Sequence, residues 1–183
     1  MRAVAALVLL GLASAGHADE LLWTRIKTES NIVVLTRNMQ SAGRMLVWDE
    51  SGGCGGEARL TSQGQADARK LGELFSARSI KAVAMSSPMC RCRETATIAF
   101  GEALTDPDLR EIASADTARI QAFSQKATSL LLKHRGRTPI VLVTHRPNIE
   151  LLTLESIAEG ELLIGKVADS GEIEVLGKMG LPR

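Results

Sequence analysis

The chain has few aromatic residues, with two Trp, three Phe and no Tyr among 183. It also lacks charge of one sign, since 22 Lys and Arg nearly cancel 21 Asp and Glu. A protein that reads nucleic acid needs a basic footprint and, for single strands, stacking platforms; neither is present, and a nucleic-acid partner is excluded. Three Cys and three His match no standard zinc-ligand spacing, so no metal is expected. The glycine-rich stretch Ser51-Gly52-Gly53-Cys54-Gly55-Gly56 lacks the Lys-Ser/Thr of a P-loop and the spacing of a dinucleotide fingerprint. It is expected to be a mobile surface loop. No repeat or low-complexity segment occurs, and the length suits one domain with a sizeable core.

The one sustained apolar run, residues 3–15, falls short of the roughly 20 residues that span a bilayer. With Arg2 before it and Gly16-His17-Ala18 after it, the run reads as an export signal. Cleavage is expected after Ala18, with Ala15 as the second position, giving a signal peptide at 1–18 and one domain at 19–183. Location is then periplasmic or secreted, with no membrane span after cleavage. In an oxidising compartment thiols tend to pair. Cys90 and Cys92 are too close for an easy mutual bridge, so the candidate disulfide joins Cys54 to one of them; buried unpaired thiols are the other reading.

The stretch Asn31 to Met39 organises the rest. Its apolar part, 32–35, does not alternate, which predicts a strand covered on both faces, and it ends abruptly in Arg37-Asn38. A short helix is expected over 20–29. A second spans about 61–79, capped by Thr61 or by a Ser62/Gln65 capping box, with Ala68, Leu71, Leu74 and Phe75 inward. Then come a strand at 82–85, a helix from Pro88 as its first residue to Phe100, a turn at 105–108 and a helix over about 115–133. A strand at 139–144, a helix restarting at Pro147, and a closing pair of strands at 161–167 and 171–176 complete the chain. This alternation predicts an α/β three-layer sandwich with a mostly parallel central sheet.

In such sheets ligands sit beyond the carboxyl ends of the strands. Three ends carry chemistry: Arg37-Asn38, residues 86–91, and His145. Two guanidinium groups grip phosphate oxygens bidentately, and a helix N-terminus after Pro88 offers backbone donors. Phosphate is the natural ligand; arginines merely paired with nearby acids are the plainer alternative.

The motifs Leu60-Thr61-x-x-Gly64 with Ala68, Ser86-Ser87-Pro88-x-x-Arg91-x-x-x-Thr95-Ala96, and Val143-Thr144-His145 with Asn148 resemble, in order and spacing, the histidine phosphatase superfamily. The resemblance is to its small exported bacterial branch, and it implies a phosphoglycerate mutase-like fold. It further implies Arg37, Arg91 and His145 as phosphate-binding residues, a phosphorylated small molecule or phosphoryl group as partner, and no cofactor. Glu111 is the candidate proton donor, with Asp116 its rival. Where the family carries its nucleophilic histidine, this chain has Asn38 in Arg37-Asn38-Met39. An amide nitrogen delocalises its lone pair into the carbonyl and does not accept a phosphoryl group as imidazole does. The resemblance therefore implies a degenerate or weak phosphatase. The alternatives are a phosphatase using water or another nucleophile, for which His134 is a poor candidate, and a non-catalytic phosphate-binding protein.

Overall fold

The computed structural model describes residues 12–43, 54–112 and 117–182. A six-stranded sheet has the order β5-β4-β6-β1-β7-β8, from β1 (Ile32–Arg37), β4 (Val83–Ser86), β5 (Leu104–Thr105), β6 (Ile140–Thr144), β7 (Glu161–Val167) and β8 (Ile173–Gly180). The first four strands in that order run parallel, and β7 and β8 close the edge antiparallel. The mostly parallel α/β sandwich expected from the sequence is observed.

Why 32–35 shows no alternation is now plain: successive residues face two different cores. Ile32 and Val34 join Val141, Val143, Leu162 and Ile164 beneath α1 (Leu12–Thr28), α2 (Ser62–Ala77) and α3 (Cys90–Phe100). Val33 and Leu35 join Leu142 and Leu163 beneath α4 (Thr117–Lys133) and α5 (Arg146–Thr153). On the first side Phe75 stands edge-on to both Trp23 and Phe100, centroids 5.2 Å apart in each pair. Three of the chain's five aromatics thus meet where α1, α2 and α3 join.

Several boundaries differ from expectation. The helix expected over 20–29 begins earlier, at Leu12. The cap of α2 is Thr61, whose hydroxyl accepts the Gly64 N–H at 3.0 Å, so the Ser62/Gln65 capping box is not used. Gly64 has its own reason: a Cβ there would lie 2.1 Å from the Gln40 carbonyl oxygen, so the motif glycine lets α2 close on the chain leaving β1. Pro88 does not open α3; Met89 is the cap and Cys90 the first helical residue. Strand β5 was not foreseen, being two residues long, and β8 begins at Ile173 and runs to Gly180. Between β1 and α2 the chain forms a small antiparallel ladder, β2 (Ser41–Ala42) with β3 (Arg59–Leu60). Residues 51–53 of the glycine-rich loop, the start expected for α4 at 115, and Asp116 lie outside the described residues. No helix among the described residues is long and apolar enough to cross a membrane.

Candidate active site

The register of three parallel strands builds the site. Arg37 pairs with Thr144 across β1 and β6, while the Ser87 N–H bonds the Val143 carbonyl beyond β4. Asn38, Ser87 and His145 therefore emerge at one level. Ten polar or charged side chains are buried among the described residues: Thr36, Asn38, Glu57, Ser86, Ser87, Arg91, Thr95, Thr144, His145 and Asn148. All lie at these strand ends or in segments packed on them. Burying polar groups is costly without partners, so their concentration at one sheet edge marks the functional region.

Arg91, only 3% exposed, is the hub. Its Nε donates to Asn38 Oδ1 at 3.2 Å, and its Nη2 donates to Glu111 Oε2 at 2.6 Å and to His145 Nδ1 at 3.2 Å. Its Nη1 is buried with no hydrogen-bond partner among the described residues. Thr95, one turn along α3, donates to the Arg91 carbonyl and accepts the Met39 N–H, which ties the helix to the end of β1. Asn38 spends its amide locally: Nδ2 donates to the Met39 carbonyl at 2.9 Å while Oδ1 faces Arg91.

Because guanidinium only donates, His145 Nδ1 is the acceptor, and Nε2 carries the proton that goes to Ser87 Oγ at 2.7 Å. That tautomer rules out a serine-hydrolase reading of Ser87, His145 and Glu111, since Nε2 is not free to take the serine proton. Burial, then the positive charges of Arg91 and Arg37, push the His145 pKa down to about 3. Glu111 is 3.8 Å from Nδ1, but its carboxylate is already engaged by Arg91.

The sign of the resulting pH dependence follows from the ordinary value of 6.5. Between about 6.5 and about 3 the unfolded chain binds a proton at this residue that the folded chain refuses, so stability falls as pH falls through that window. Urea unfolding at pH 6.5 and 5 is expected to show a loss approaching about 1.4 kcal/mol per unit from this group, and His145→Gln to flatten it. An unchanged slope in His145→Gln refutes the assignment.

Of the residues expected from sequence, Asn38, Arg91, His145 and Glu111 meet directly. Arg37 stands at the rim, 3.7 Å from Glu159, near enough to bear on His145. The plainer expectation for the arginines thus has substance, since each also has an acid beside it. His134 follows α4 near the opposite edge: Gly136 accepts the Asn31 N–H at the start of β1, about 20 Å from Asn38 by strand length. It is not a replacement nucleophile.

Two of the backbone donors expected after Pro88 are taken internally. The Met89 N–H bonds Ser87 Oγ, and the Cys90 N–H bonds the buried carboxylate of Glu57 at 2.8 Å. Glu57, Ser87 and the connecting role of Thr95 were missed from sequence; a lone acid after a glycine-rich loop carries no signal of where it lands. Cys54 is bonded to Cys90, with Cα atoms 5.7 Å apart, and Cys92 is free and buried. Burial pushes the Cys92 thiol up to about 12, so it is neither nucleophile nor thiolate ligand at neutral pH. With two of the three sulfurs in a disulfide, a zinc site built on these thiols is removed.

The sequence model of the histidine phosphatase superfamily (branch 1) matches residues 47–128, a span that contains Arg91 and Glu111 but neither Asn38 nor His145. No curated protein matches the chain by sequence. Among solved structures, the protein histidine phosphatase SixA complexed with tungstate is 15% identical with a TM-score of 0.60, covering 81% of this chain and 96% of its own. TTHB049 from Thermus thermophilus is 23% identical with a TM-score of 0.56, covering 82% and 99%. A phosphoserine phosphatase variant from Entamoeba histolytica in complex with phosphoserine is 17% identical with a TM-score of 0.56, covering 80% and 95%. The chain thus has the α/β fold of these structures, and the superfamily's sequence model matches its central segment.

Proposed function

We propose that this chain belongs to the histidine phosphatase superfamily and binds a phosphomonoester or phosphoryl group in the pocket of Arg37, Arg91 and His145, as a degenerate or weak phosphatase. The observation that carries this reading is Arg91: a guanidinium buried at the strand ends with one nitrogen unpartnered has its bonding completed by an oxyanion. Neutral His145, joined to Ser87, adds a fixed polar wall rather than a second competing charge. Asn38 argues against a phosphoenzyme, because its amide nitrogen has no available lone pair and is already bonded to the Met39 carbonyl. A water-based hydrolase is the second reading, favoured by Glu111, whose carboxylate lies beside Arg91 and can exchange a proton with an attacking water or a leaving oxygen.

Calorimetric titration with inorganic phosphate or vanadate tests the pocket. The natural chain is expected to bind either anion, and Arg91→Lys to bind about tenfold or more weakly, since an ammonium lacks the planar fork that serves several oxygens together. A folded natural chain that binds neither anion sinks the reading.

Export is part of the same proposal. It is supported by the short apolar segment, by a disulfide suited to an oxidising compartment, and by the placement of the core-facing α1 residues Leu22, Trp23 and Ile26 after Ala18. Cleavage there would leave their packing intact. Intact-mass measurement on the exported protein is expected to find Asp19 as the first residue; Met1 in that material refutes export by cleavage.

A further inference from the structure

Glu111 reaches Arg91 from a segment with no helix or strand of its own. It follows a 3-10 turn (Pro107–Leu109), and its backbone is bonded on both sides by one side chain, Asn148. Fully buried one turn beyond His145 on α5, Asn148 accepts the Ile112 N–H at Oδ1 (3.1 Å). Its Nδ2 faces the carbonyls of Leu109 (3.2 Å) and Arg110 (3.0 Å) and the Thr144 hydroxyl (3.0 Å). With acceptors around one amide atom and a donor at the other, the orientation of the amide is fixed by its partners. Asn148 thereby grips the peptide group on each side of the Glu111 Cα. The buried side chains of Leu109 and Ile112 anchor the segment in the core, but apolar burial alone does not fix the rotation of the backbone between them.

From this clamp we infer that Asn148 is a positioning residue, setting the Glu111 carboxylate against Arg91 and so regulating how much of that guanidinium is free for an incoming anion. The inference rests on the phosphate-pocket reading and deepens it. While held, Glu111 competes with phosphate for Nη2 of Arg91, yet it is also the carboxyl group that the phosphatase reading uses as proton donor. Loosening it has opposite consequences for binding and for turnover, a pattern that general damage to the pocket does not produce.

Asn148→Ala, Glu111→Gln and the double variant form the test, with retained far-ultraviolet dichroism as the folding control. Asn148→Asp, which keeps the acceptor for Ile112 but sets an oxygen against the two carbonyls, serves if the alanine variant does not fold. Inorganic phosphate is expected to bind about threefold or more tightly to Asn148→Ala and to Glu111→Gln, with no further gain in the double variant, because the two changes act through one contact. In an Asn38→His background, kcat for an aryl phosphate is expected to fall at least about tenfold with KM unchanged or lower. Phosphate binding weakened equally with and without Glu111→Gln overturns the inference. If the natural chain binds no phosphate, the pocket reading fails, and urea unfolding still decides this one. A cost of Glu111→Gln that shrinks in the Asn148→Ala background upholds the clamp, and strictly additive costs refute it.

Discussion

Asn38→His is expected to raise turnover of a generic aryl phosphate by orders of magnitude over the natural chain, and to yield an acid-labile phosphohistidine where the natural chain yields none. The geometry gives the reason. Asn38 Nδ2 donates to the Met39 carbonyl at 2.9 Å, and an imidazole on the same Cα can make that bond through Nδ1–H. Fixing that tautomer leaves the Nε2 lone pair facing the pocket. Arg91 loses the Oδ1 acceptor it has at 3.2 Å, and a phosphate oxygen takes its place. A rise without detectable phosphohistidine points to water as the nucleophile. No rise, in a variant that still binds phosphate, identifies a binding protein whose proton donor is also ineffective. Burst kinetics in the natural chain overturn the lost-nucleophile reading altogether.

Breaking the Cys54–Cys90 disulfide is expected to have the largest effect on stability. The bridge closes a loop with a sequence separation of 36, for which the chain-entropy estimate is about 4 kcal/mol, or roughly 10 °C in Tm for a domain of this size. The bridge is one of a row of staples between residues 54–60 and α3. The Glu57 carboxylate bonds the Cys90 N–H, and Glu94 grips both the Arg59 guanidinium and the Leu60 N–H. The adjacent face of α3 presents Arg91 and Thr95 to the site, so the row holds the helix that carries the hub. Thermal unfolding with and without reductant, and of a Cys54→Ser/Cys90→Ser variant, measures the effect. An unchanged Tm in both would mean that the noncovalent staples suffice.

Much of this was legible in one dimension, because the signals concerned are local. The nonalternating run at 32–35 declares a strand buried on two faces, and the spacing of Ala68, Leu71 and Phe75 declares the inner face of α2. A parallel sheet then obliges Arg37-Asn38, residues 86–91 and His145 to end at one edge. That an amide at position 38 does not accept a phosphoryl group as imidazole does is equally legible, since it follows from the chemistry of one side chain. What tertiary structure alone decided are the pairings between segments distant in the chain, which depend on register and closure rather than on residue type. Sequence left Cys54 a choice of two partners, and the approach of residues 54–57 to the start of α3 chose Cys90. It offered the donors after Pro88 to a ligand, and the fold gave those of Met89 and Cys90 to Ser87 and Glu57. Glu111 and Asn148 lie 37 positions apart with nothing in their flanks to join them. Their meeting was fixed only when the end of β6 set α5 beside the chain leaving the 3-10 turn, where one buried amide found every partner it needed in a single stretch of backbone.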